Sequence, residues 1–431
     1  MADQKMKIHV IGGGLAGAEA AYYLLRRGHE VVLHEARPTY EDNAHHTPYF
    51  GELVCSNSLK SKDVENACGL LKEEIRHMGS LTMESAAIAE VPSGNALSVD
   101  RDLFAKNNHA KLTSFPSLTV VNEEITSLGD EPTILATGPL TSPALLDYLC
   151  HLLGKKNLSF FDASAPIVRK DSINFDIAYY KSRYAQGDES YINCPFSREE
   201  YFAFIQELTH AEKTLVHEFD TQYFEGCLPV EVIASRGVET LRHGPLKPFG
   251  LWREGYPKPY AVVQLRQDTK LGDYYNIVGF QTNLTYPEQR RVFRMIPGLE
   301  NAEFLRYGLM HRNAYIDSPR LLNDDLSLKA KDNVFVAGQL SGVEGYVESA
   351  AMGILAAIQL ERRLKGLPLR SLSSRTMLGA LTDYILHFYG KDFQPMNANW
   401  ALIPSVMKTQ RAAAVQESLQ LIDDFMEHVD D

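Results

Sequence analysis

One stretch of the chain concentrates side chains that could act on a bound molecule. Residues 45–61 contain the thiol of Cys55, several hydroxyls, an amide, a lysine and two adjacent histidines. Neighbouring histidines point in different directions on most backbones, so we expect no metal site here. Cys55 has two interpretations, as a buried structural residue or as a reactive thiol close to a bound cofactor.

A second cysteine lies in a segment typical of an exposed turn. In Phe224-Glu225-Gly226-Cys227-Leu228-Pro229, a glycine precedes Cys227 and a proline follows it closely. A thiolate attacks other molecules where cations or a helix N-terminus lower the pKa of the thiol. Arg236, Arg242 and Lys247 follow closely enough to be such cations, although no spacing rule requires it. The remaining cysteines are interpreted as buried small residues: Cys68, Cys150 and Cys194.

A glycine-rich turn near the start of the chain could position a cofactor beside these groups. An apolar strand over residues 7–11 runs into Gly12-x-Gly14-x-x-Gly17 and then into an alanine-rich helix. The first glycine permits the tight turn, the second lets a pyrophosphate approach the backbone, and the third lets helix and strand pack closely. Glu35 ends the next strand 18 residues after Gly17, where a ribose-binding carboxylate is expected.

A second glycine-rich segment lies late in the chain. Residues 334–353 begin with a strand that ends in Ala337-Gly338, and further glycines lead into a helix of small residues. Flavoproteins commonly return to the nucleotide-binding sheet in this way, with a helix N-terminus near the flavin ring. Residues 132–138, a buried strand that ends in glycine, are expected to join the same sheet. Together these segments favour bound FAD over a nicotinamide-only site or a purely structural turn.

The order of these elements predicts an α/β fold with an interruption. We expect a Rossmann-like FAD-binding domain of the glutathione-reductase type, with an inserted α+β domain rich in aromatic and β-branched residues. The first part of the FAD-binding domain is placed at residues 1–159 and the inserted domain at 160–325. Residues 326–431 form the second part and the C-terminal helices.

Three further elements follow from apolar spacing. Residues 63–80 carry apolar side chains at helical intervals, and residues 118–122 read as a short strand. Near the end of the chain, apolar residues from Val415 to Val429 are spaced by four and three. Because this stripe covers only two heptads, we expect a core-facing helix and not a coiled-coil seam.

Composition limits the classes of protein to consider. The chain has 431 residues, 23% charged and 45% hydrophobic, which is ordinary for a globular protein. We expect no membrane span and no signal peptide, because there is no run of 18 apolar residues and the first strand is reached by residue 7. Five scattered cysteines without a CxxC pair favour a reducing cytoplasm and argue against a disulfide framework and against a zinc site.

The net charge of −12 is unevenly distributed along the chain. Residues 412–431 hold six acidic residues and no lysine or arginine, whereas residues 236–270 hold seven Lys/Arg against three Asp/Glu, and residues 290–312 hold five against two. Affinity for nucleic acid depends on the phosphates neutralised locally and not on total charge. The two basic segments are therefore either RNA-facing surfaces or ordinary solvated faces.

Ordered blocks along nearly the whole chain resemble the folate- and FAD-dependent tRNA uracil-5-methyltransferases, relatives of the glucose-inhibited division protein A. These blocks are Gly-Gly-Leu-Ala-Gly at 13–17, Ala-His-His-Thr at 44–47, Glu-Leu-Val-Cys-Ser-Asn-Ser-Leu-Lys-Ser at 52–61, Leu-Leu-Lys-Glu-Glu at 70–74, Ala-Thr-Gly-Pro-Leu-Thr-Ser at 136–142, Phe-Glu-Gly-Cys at 224–227, Met-His-Arg-Asn at 310–313, Gly-Val-Glu-Gly-Tyr-Val-Glu-Ser-Ala-Ala at 342–351 and Pro-Met-Asn-Ala-Asn at 395–399.

The resemblance implies methylation of C5 of a uridine in the T-loop of tRNA. The one-carbon unit would come from 5,10-methylenetetrahydrofolate, and reducing equivalents from NADH or NADPH would pass through FAD. The family's nucleophile, which adds to C6 of the uracil, falls on Cys227. The family's cysteine near the flavin, which would remove the C5 proton, falls on Cys55.

The motifs and the resemblance together assign two sets of binding residues. Contacts with the cofactor are expected from Gly12, Gly13, Gly14, Leu15, Ala16, Gly17, Glu35, Ala136, Thr137, Gly138, Gly338, Gln339 and Gly342. Contacts with RNA or substrate are expected from Arg242, Lys247, Arg266 and Arg312.

Departures from the family pattern leave the RNA target open. The chain has His243, Leu246 and Phe249 where the family usually has phenylalanine, methionine and valine, and it also differs within 313–319. None of these positions is a cysteine or an FAD-binding glycine, so methyl transfer is expected to survive. A uridine of large-subunit ribosomal RNA is the alternative target. A catalytically inactive flavin-binding RNA-interaction protein and a flavin oxidoreductase for a small metabolite are the alternative classes.

Overall fold

The computed structural model describes residues 6–40, 44–154, 160–163, 165–183, 190–214, 228–268, 271–308, 310–389, 393–403 and 406–431. In this part of the chain the strands are β1 (Lys7–Ile11), β2 (Glu30–Glu35), β3 (Ser58–Ser61), β4 (Glu90–Val91), β5 (Ala96–Val99), β6 (Leu118–Asn122), β7 (Thr133–Leu135), β8 (Phe160–Ala163), β9 (Ile167–Arg169), β10 (Tyr179–Tyr180), β11 (Tyr191–Phe196), β12 (Ala261–Gln267), β13 (Tyr274–Ile277), β14 (Phe304–Arg306), β15 (Met310–Asn313), β16 (Ser327–Leu328) and β17 (Lys331–Val336). The α-helices are α1 (Leu15–Arg26), α2 (Ala67–His77), α3 (Leu81–Ala89), α4 (Arg101–Thr113), α5 (Pro143–Leu153), α6 (Arg198–His210), α7 (Val230–Ser235), α8 (Thr240–His243), α9 (Tyr286–Phe293), α10 (Ser318–Leu321), α11 (Tyr346–Leu364), α12 (Met377–His387) and α13 (Arg411–Glu427).

A six-stranded sheet is built from the two ends of the chain, in the order β16-β17-β7-β1-β2-β6. Five of its strands are parallel, and the short β16 pairs antiparallel to β17 at one edge. Ile11 pairs with both His34 and Leu135, so three strands end together at one edge of the sheet. The predicted return of residues 132–138 to this sheet is confirmed, because β7 lies between β17 and β1.

Helices α1 and α11 pack against each other and against this sheet. Their contact is close because it is made by small residues: a Cβ atom on Gly353 would lie 2.2 Å from the carbonyl oxygen of Ala16. Eleven of the twelve residues of α1 are buried, so this helix lies inside the domain. The two glycine-rich segments are therefore brought together by helices that cannot accept larger side chains at their contact.

A second six-stranded sheet, entirely antiparallel, has the order β10-β11-β12-β13-β9-β14. Its core contains several phenylalanines and is formed by residues between Val168 and Ala302. The first core takes residues from Ile8 to Leu149 and resumes at Ala314. The domain limits at 159/160 and 325/326 stay a prediction.

The remaining strands of the described residues form two smaller sheets, a three-stranded one of order β3-β5-β4 and the pair β15–β8. The strand expected at 118–122 is confirmed. The helix expected over 63–80 is shorter, from Ala67 to His77. At the end of the chain, α13 buries Val415 and Ile422, which confirms a core-facing helix. No helix of the described ranges combines the length and the apolar character needed to cross a bilayer.

Candidate active site

A large cavity opens at the ends of β1, β2 and β7, where α1 begins. Together with its open mouth it encloses about 1230 Å³ of space. The walls come mainly from residues 11–16, 34–37 and 136–142, together with Gly338 and Gln339. The cavity is therefore suited to an extended ligand that crosses the edge of a parallel sheet.

Most residues that the sequence assigned to a cofactor lie on these walls. They are Gly12, Gly13, Gly14, Leu15, Ala16, Glu35, Ala136, Thr137, Gly138, Gly338 and Gln339. Gly17 and Gly342 do not line the cavity. Both are crowded: a Cβ atom on Gly17 would lie 1.8 Å from the carbonyl oxygen of Gly12, and one on Gly342 would lie 2.5 Å from the ring of Phe393. Their positions support roles in packing and turn formation.

The glycines of the first turn differ in what surrounds them. Gly12 has a φ of +102°, and a Cβ atom there would lie 2.5 Å from the carbonyl oxygen of Ala136. By contrast, no atom lies within 4 Å of a Cβ atom built on Gly14. Gly14 therefore faces open space at the start of α1, where unpaired backbone N–H groups favour an anion.

Glu35 is held in place by a neighbour that the sequence analysis did not single out. Its carboxylate accepts hydrogen bonds from the backbone of Gly13 (3.1 Å) and from Arg37 Nε (2.9 Å). Burial by itself would raise the pKa of Glu35, but hydrogen bonds and charge from Arg37 lower it below its ordinary value. Glu35 is therefore an anionic acceptor at the cavity wall. The sequence feature that could have identified Arg37 as a partner of Glu35 is its position two residues after Glu35.

Cys55 lies on the wall of the same cavity and is half-buried. The hydroxyl of Tyr346 accepts hydrogen bonds from the backbone N–H groups of Cys55 (2.7 Å) and Ser56 (3.0 Å). Tyr346 is the first residue of α11 and also lines the cavity. The helix that follows the second glycine-rich segment thus fixes the backbone at the cysteine.

Three arginines from separate elements hold the loop around Cys55, residues 53–57. From α4, Arg101 donates to the carbonyl oxygen of Leu53 (3.4 Å), and from β14, Arg306 donates to that of Val54. From β12, Arg266 donates to Ser56 Oγ (2.6 Å) and Asn57 Oδ1 (2.9 Å). We call Arg101, Arg266 and Arg306 the arginine cluster.

The arginine cluster carries more positive charge than its surroundings neutralise. Among the described carboxylates only Asp268 forms an ion pair with it, to Arg101 at 2.8 Å. Burial lowers the pKa of Arg266, and burial together with the charge of Arg101 lowers the pKa of Arg306. Because nearby cations favour the thiolate form of cysteine, this environment suits a reactive thiol at position 55.

The RNA or substrate residues expected from the sequence lie in different surroundings. Arg266 is buried, with 8% of its surface exposed, and its hydrogen bonds support the cysteine loop instead of a surface contact. Arg242 and Lys247 lie in the segment before β12 and do not line the cavity. The side chain of Arg312, in β15, and the whole of Cys227 lie outside the described residues.

The other cysteines are less uniform than expected. Cys194 is fully buried, and burial raises its pKa, so it is an inert core residue as predicted. Cys68 and Cys150 are only half-buried, and the prediction that both are buried is wrong, because each occupies a helix position at the border of the core. In the described residues no group of three or more His, Cys, Asp or Glu side chains could hold a metal ion.

Sequence reasoning missed most of the residues that position Cys55: Tyr346, Arg101, Arg306 and Asp268. Tyr346 lies within residues 342–351, one of the blocks that carry the family resemblance, but nothing in that block indicates a contact with a loop 290 residues earlier. The three charged residues belong to no recognisable motif.

Comparisons with known proteins give consistent results. The family model "Glucose inhibited division protein A" matches residues 7–368. A methylenetetrahydrofolate–tRNA-(uracil-5-)-methyltransferase of Desulforudis audaxviator is 56% identical over 92% of this chain and 91% of its own length. The protein of the same name from Natranaerobius thermophilus is 48% identical over 98% and 99%.

Among solved structures, Aquifex aeolicus GidA superposes with a TM-score of 0.72 at 16% identity, covering 99% of this chain and 76% of that one. At that identity the likeness concerns the fold alone. It confirms the predicted α/β, Rossmann-like architecture.

Proposed function

This chain belongs to the glucose inhibited division protein A family, and from that premise we propose that it methylates C5 of a uridine in tRNA. The one-carbon donor is 5,10-methylenetetrahydrofolate, as the names of the near-full-length relatives state for those proteins. The observation that carries the proposal is that Cys55 lies on the wall of the cavity formed by both glycine-rich segments.

The cavity fits FAD as the resident cofactor. The open space at Gly14 and Gly138, where an added Cβ atom meets nothing within 4 Å, leaves the backbone accessible to a pyrophosphate at the start of α1. Glu35 offers the carboxylate for a ribose. Reduced flavin supplies the two electrons that convert a methylene unit into a methyl group. The protein's own residues bind it, orient it and hold a thiol beside it.

The uracil needs activation because its C5 is a weak nucleophile. A thiolate that adds to C6 pushes an electron pair towards C5, which then bonds to the incoming carbon. Loss of the C5 proton to a base lets the bond between the transferred carbon and the folate nitrogen break, and a hydride equivalent from the reductant then completes the methyl group. Breakage of the S–C6 bond restores the C5–C6 double bond of the ring and releases the thiolate. We assign the nucleophile to Cys227 and the base to Cys55. The arginine cluster around residues 53–57 supports the second role, since a base must be unprotonated.

Two details go beyond the names of the relatives. We propose that the uridine lies in the T-loop and that NADH or NADPH is the external reductant. Ribosomal RNA stays the second candidate substrate, because the departures at residues 243–249 and 313–319 fall outside the cavity walls. Mapping 5-methyluridine in bulk tRNA and ribosomal RNA from cells with and without this protein separates the two.

A trapping experiment tests the assignment of the nucleophile. In RNA that contains 5-fluorouridine the C5 substituent cannot leave as a proton, so the covalent adduct accumulates. We expect Cys227→Ala to abolish this adduct while FAD stays bound, and Cys55→Ala to retain an adduct that forms at C6. The half-buried Cys150 on α5 offers a matched control, and Cys150→Ala should form the adduct like the wild type. An adduct of unchanged yield with Cys227→Ala would remove that residue from its role.

A further inference from the structure

A surface of the second sheet, away from the cavity, combines cations with aromatic rings. We call it the basic-aromatic groove and define it by Arg198, Arg242, Arg253, Tyr256, Lys258 and Tyr260, which line a common depression. Most of these side chains are exposed, and Tyr256 keeps 57% of its surface accessible. Exposed aromatic residues that lie together, unlike single ones, are a mark of interaction sites.

Each cation of the groove is stacked on a ring. Arg242 lies 4.3 Å from the centre of the Tyr260 ring, and Arg253 lies 4.4 Å from that of Tyr256. At the rim, Lys258 lies 5.3 Å from the exposed Trp252. Aromatic faces orient these cations without neutralising them, so their charge stays available for a ligand.

The acidic neighbours neutralise only part of this charge. Glu239 contacts Arg242 at 3.4 Å and accepts a hydrogen bond from the Tyr260 hydroxyl, and Asp176 also lines the groove. Arg253 and Lys258 form no ion pair with any carboxylate of the described residues. The exposed end of the groove is therefore positive and flanked by rings.

We infer that the basic-aromatic groove docks the folded RNA substrate at a distance from the reacting uridine. The inference rests on the proposed function, whose substrate it locates on the protein surface. Phosphates would be bound by Arg253 and Lys258, and an unpaired base would stack on the free face of Tyr256. Cations alternating with stacking platforms are the combination used to bind unpaired RNA.

The groove is connected to the cysteine loop by one rigid element. β12 starts at Ala261, directly after Tyr260, and its Arg266 donates to Ser56 beside Cys55. Five residue steps along a strand span about 17 Å. A small metabolite cannot contact both places at once, whereas a folded RNA can. This strand fixes the spacing between the reacting base and the docked segment, a constraint that would distinguish one RNA from another.

Other anionic partners fit the groove less well. An anionic lipid surface needs a broad basic face, and the groove is a depression with Asp176 on one wall. An acidic peptide would use the cations but would leave Tyr256 and Trp252 exposed. RNA uses both the charges and the rings.

Direct binding tests the inference independently of methyl transfer. The full-length flavoprotein is titrated with an unmodified tRNA transcript by filter binding over a range of salt concentrations. We expect Arg253→Glu/Lys258→Glu to reduce the slope of log affinity against log salt by about 2, because each lost phosphate contact removes about 1. Tyr256→Ala should weaken binding roughly five- to hundredfold through the loss of one stacked base.

A matched control separates docking from total charge. Lys106→Glu/Lys408→Glu changes the net charge equally at two exposed lysines outside the groove and should bind tRNA like the wild type. All variants should keep their flavin absorbance and melting temperature. Three results would overturn the inference. The two double variants could weaken tRNA binding equally, or the groove variant could bind tRNA with wild-type affinity. The protein could also bind anionic phospholipid vesicles more strongly than tRNA. Wild-type binding and methylation by the groove variant would overturn it while leaving the proposed reaction intact.

Discussion

The two sides of the candidate active site are built in opposite ways. The nucleotide side consists of backbone and small residues, with Gly12 and Gly14 in one turn and Gly338 in the other. The cysteine side consists of a loop held by long polar side chains from α4, β12, β14 and α11. Each turn of the first is a short local motif, whereas the contacts of the second come from single residues in distant segments.

This difference determines how each side fails. A glycine turn is damaged when atoms are added, since its function is to leave room for a ligand or for a neighbouring backbone. A loop tied by buried hydrogen bonds is damaged when atoms are removed, because the partners stay behind unsatisfied. The nucleotide side should therefore be sensitive to enlargement, and the cysteine side to deletion of single polar groups.

The largest effects are expected from two enlargements within one motif. Gly17→Val should prevent folding, because a Cβ atom there would lie 1.8 Å from the backbone of Gly12, a clash well above the roughly 4–5 kcal/mol of exceptional substitutions. Gly14→Val should fold but lose FAD, because its side chain enters the open space that the pyrophosphate needs. Circular dichroism and flavin absorbance of the purified variants separate the two outcomes. Full flavin content in Gly14→Val would contradict the cofactor assignment.

The contrast between the nucleotide side and the cysteine side also explains which parts of the candidate site could be predicted from the sequence. A phosphate-binding turn requires particular residues at fixed, short spacing, so it can be recognised from the sequence alone. The residues identified in this way are Gly12, Gly14, Gly17 and Glu35. The return of β7 and β17 to the sheet was predicted for the same reason, since each strand ends in glycine. In the inserted domain a glycine instead ends a strand early: β13 stops at Ile277, and the chain turns at Gly279, where φ is +77°.

The cysteine side could not be predicted in this way. Arg101 and Arg306 approach residues 53–57 only through the tertiary fold, and an arginine that will be buried looks like any other in the sequence. Arg266 was noticed as a basic residue, yet its basic neighbours suggested a surface. Because β12 is buried on both faces, no alternation of polar and apolar residues revealed that Arg266 points to the loop.

On the cysteine side, the largest deletion effect is expected at Asp268. Among the residues that the structure describes, Asp268 is the one carboxylate paired with the arginine cluster. Asp268→Asn therefore leaves buried positive charge uncompensated, which typically costs about 3–5 kcal/mol. We expect a lower free energy of unfolding in urea. Asp171, an exposed partner of Arg169, is the matched control, since exposed ion pairs contribute little and Asp171→Asn should leave stability nearly unchanged. Equal effects would show that the cluster does not depend on Asp268.

A smaller, pH-dependent effect is expected at the C-terminal ends of α1 and α11, the two helices whose N-terminal ends meet the cavity. Glu361 in α11 binds Arg27 (3.0 Å), His29 (2.9 Å) and Lys365 (3.0 Å). Burial opposes ionisation, but these donors lower the pKa of Glu361 to about 2. Its stabilising contribution is therefore complete above its ordinary pKa near 4.5 and is lost as the pH falls towards 2.

Glu361→Gln should lower the free energy of unfolding by about 2–3 kcal/mol at neutral pH. Unfolding measured at several pH values should show this difference shrinking below about pH 4.5, and a constant difference would contradict the assignment.

The smallest change in stability should accompany a clear change in activity. Tyr346→Phe keeps the ring but deletes the oxygen that accepts from Cys55 and Ser56, which should cost about 1–2 kcal/mol. Because the loop then shifts while the glycine turns of the nucleotide side keep their shape, we expect flavin content to be unchanged and kcat for tRNA methylation to fall about tenfold, the scale of one lost hydrogen bond. The Tyr384 hydroxyl, which donates to the carbonyl oxygen of Gln394 at 3.0 Å, provides the matched control, so Tyr384→Phe should leave kcat unchanged. If Tyr346→Phe lost flavin instead of activity, Tyr346 would belong to the nucleotide side, and the division between an enlargement-sensitive and a deletion-sensitive side would have to be redrawn at the start of α11.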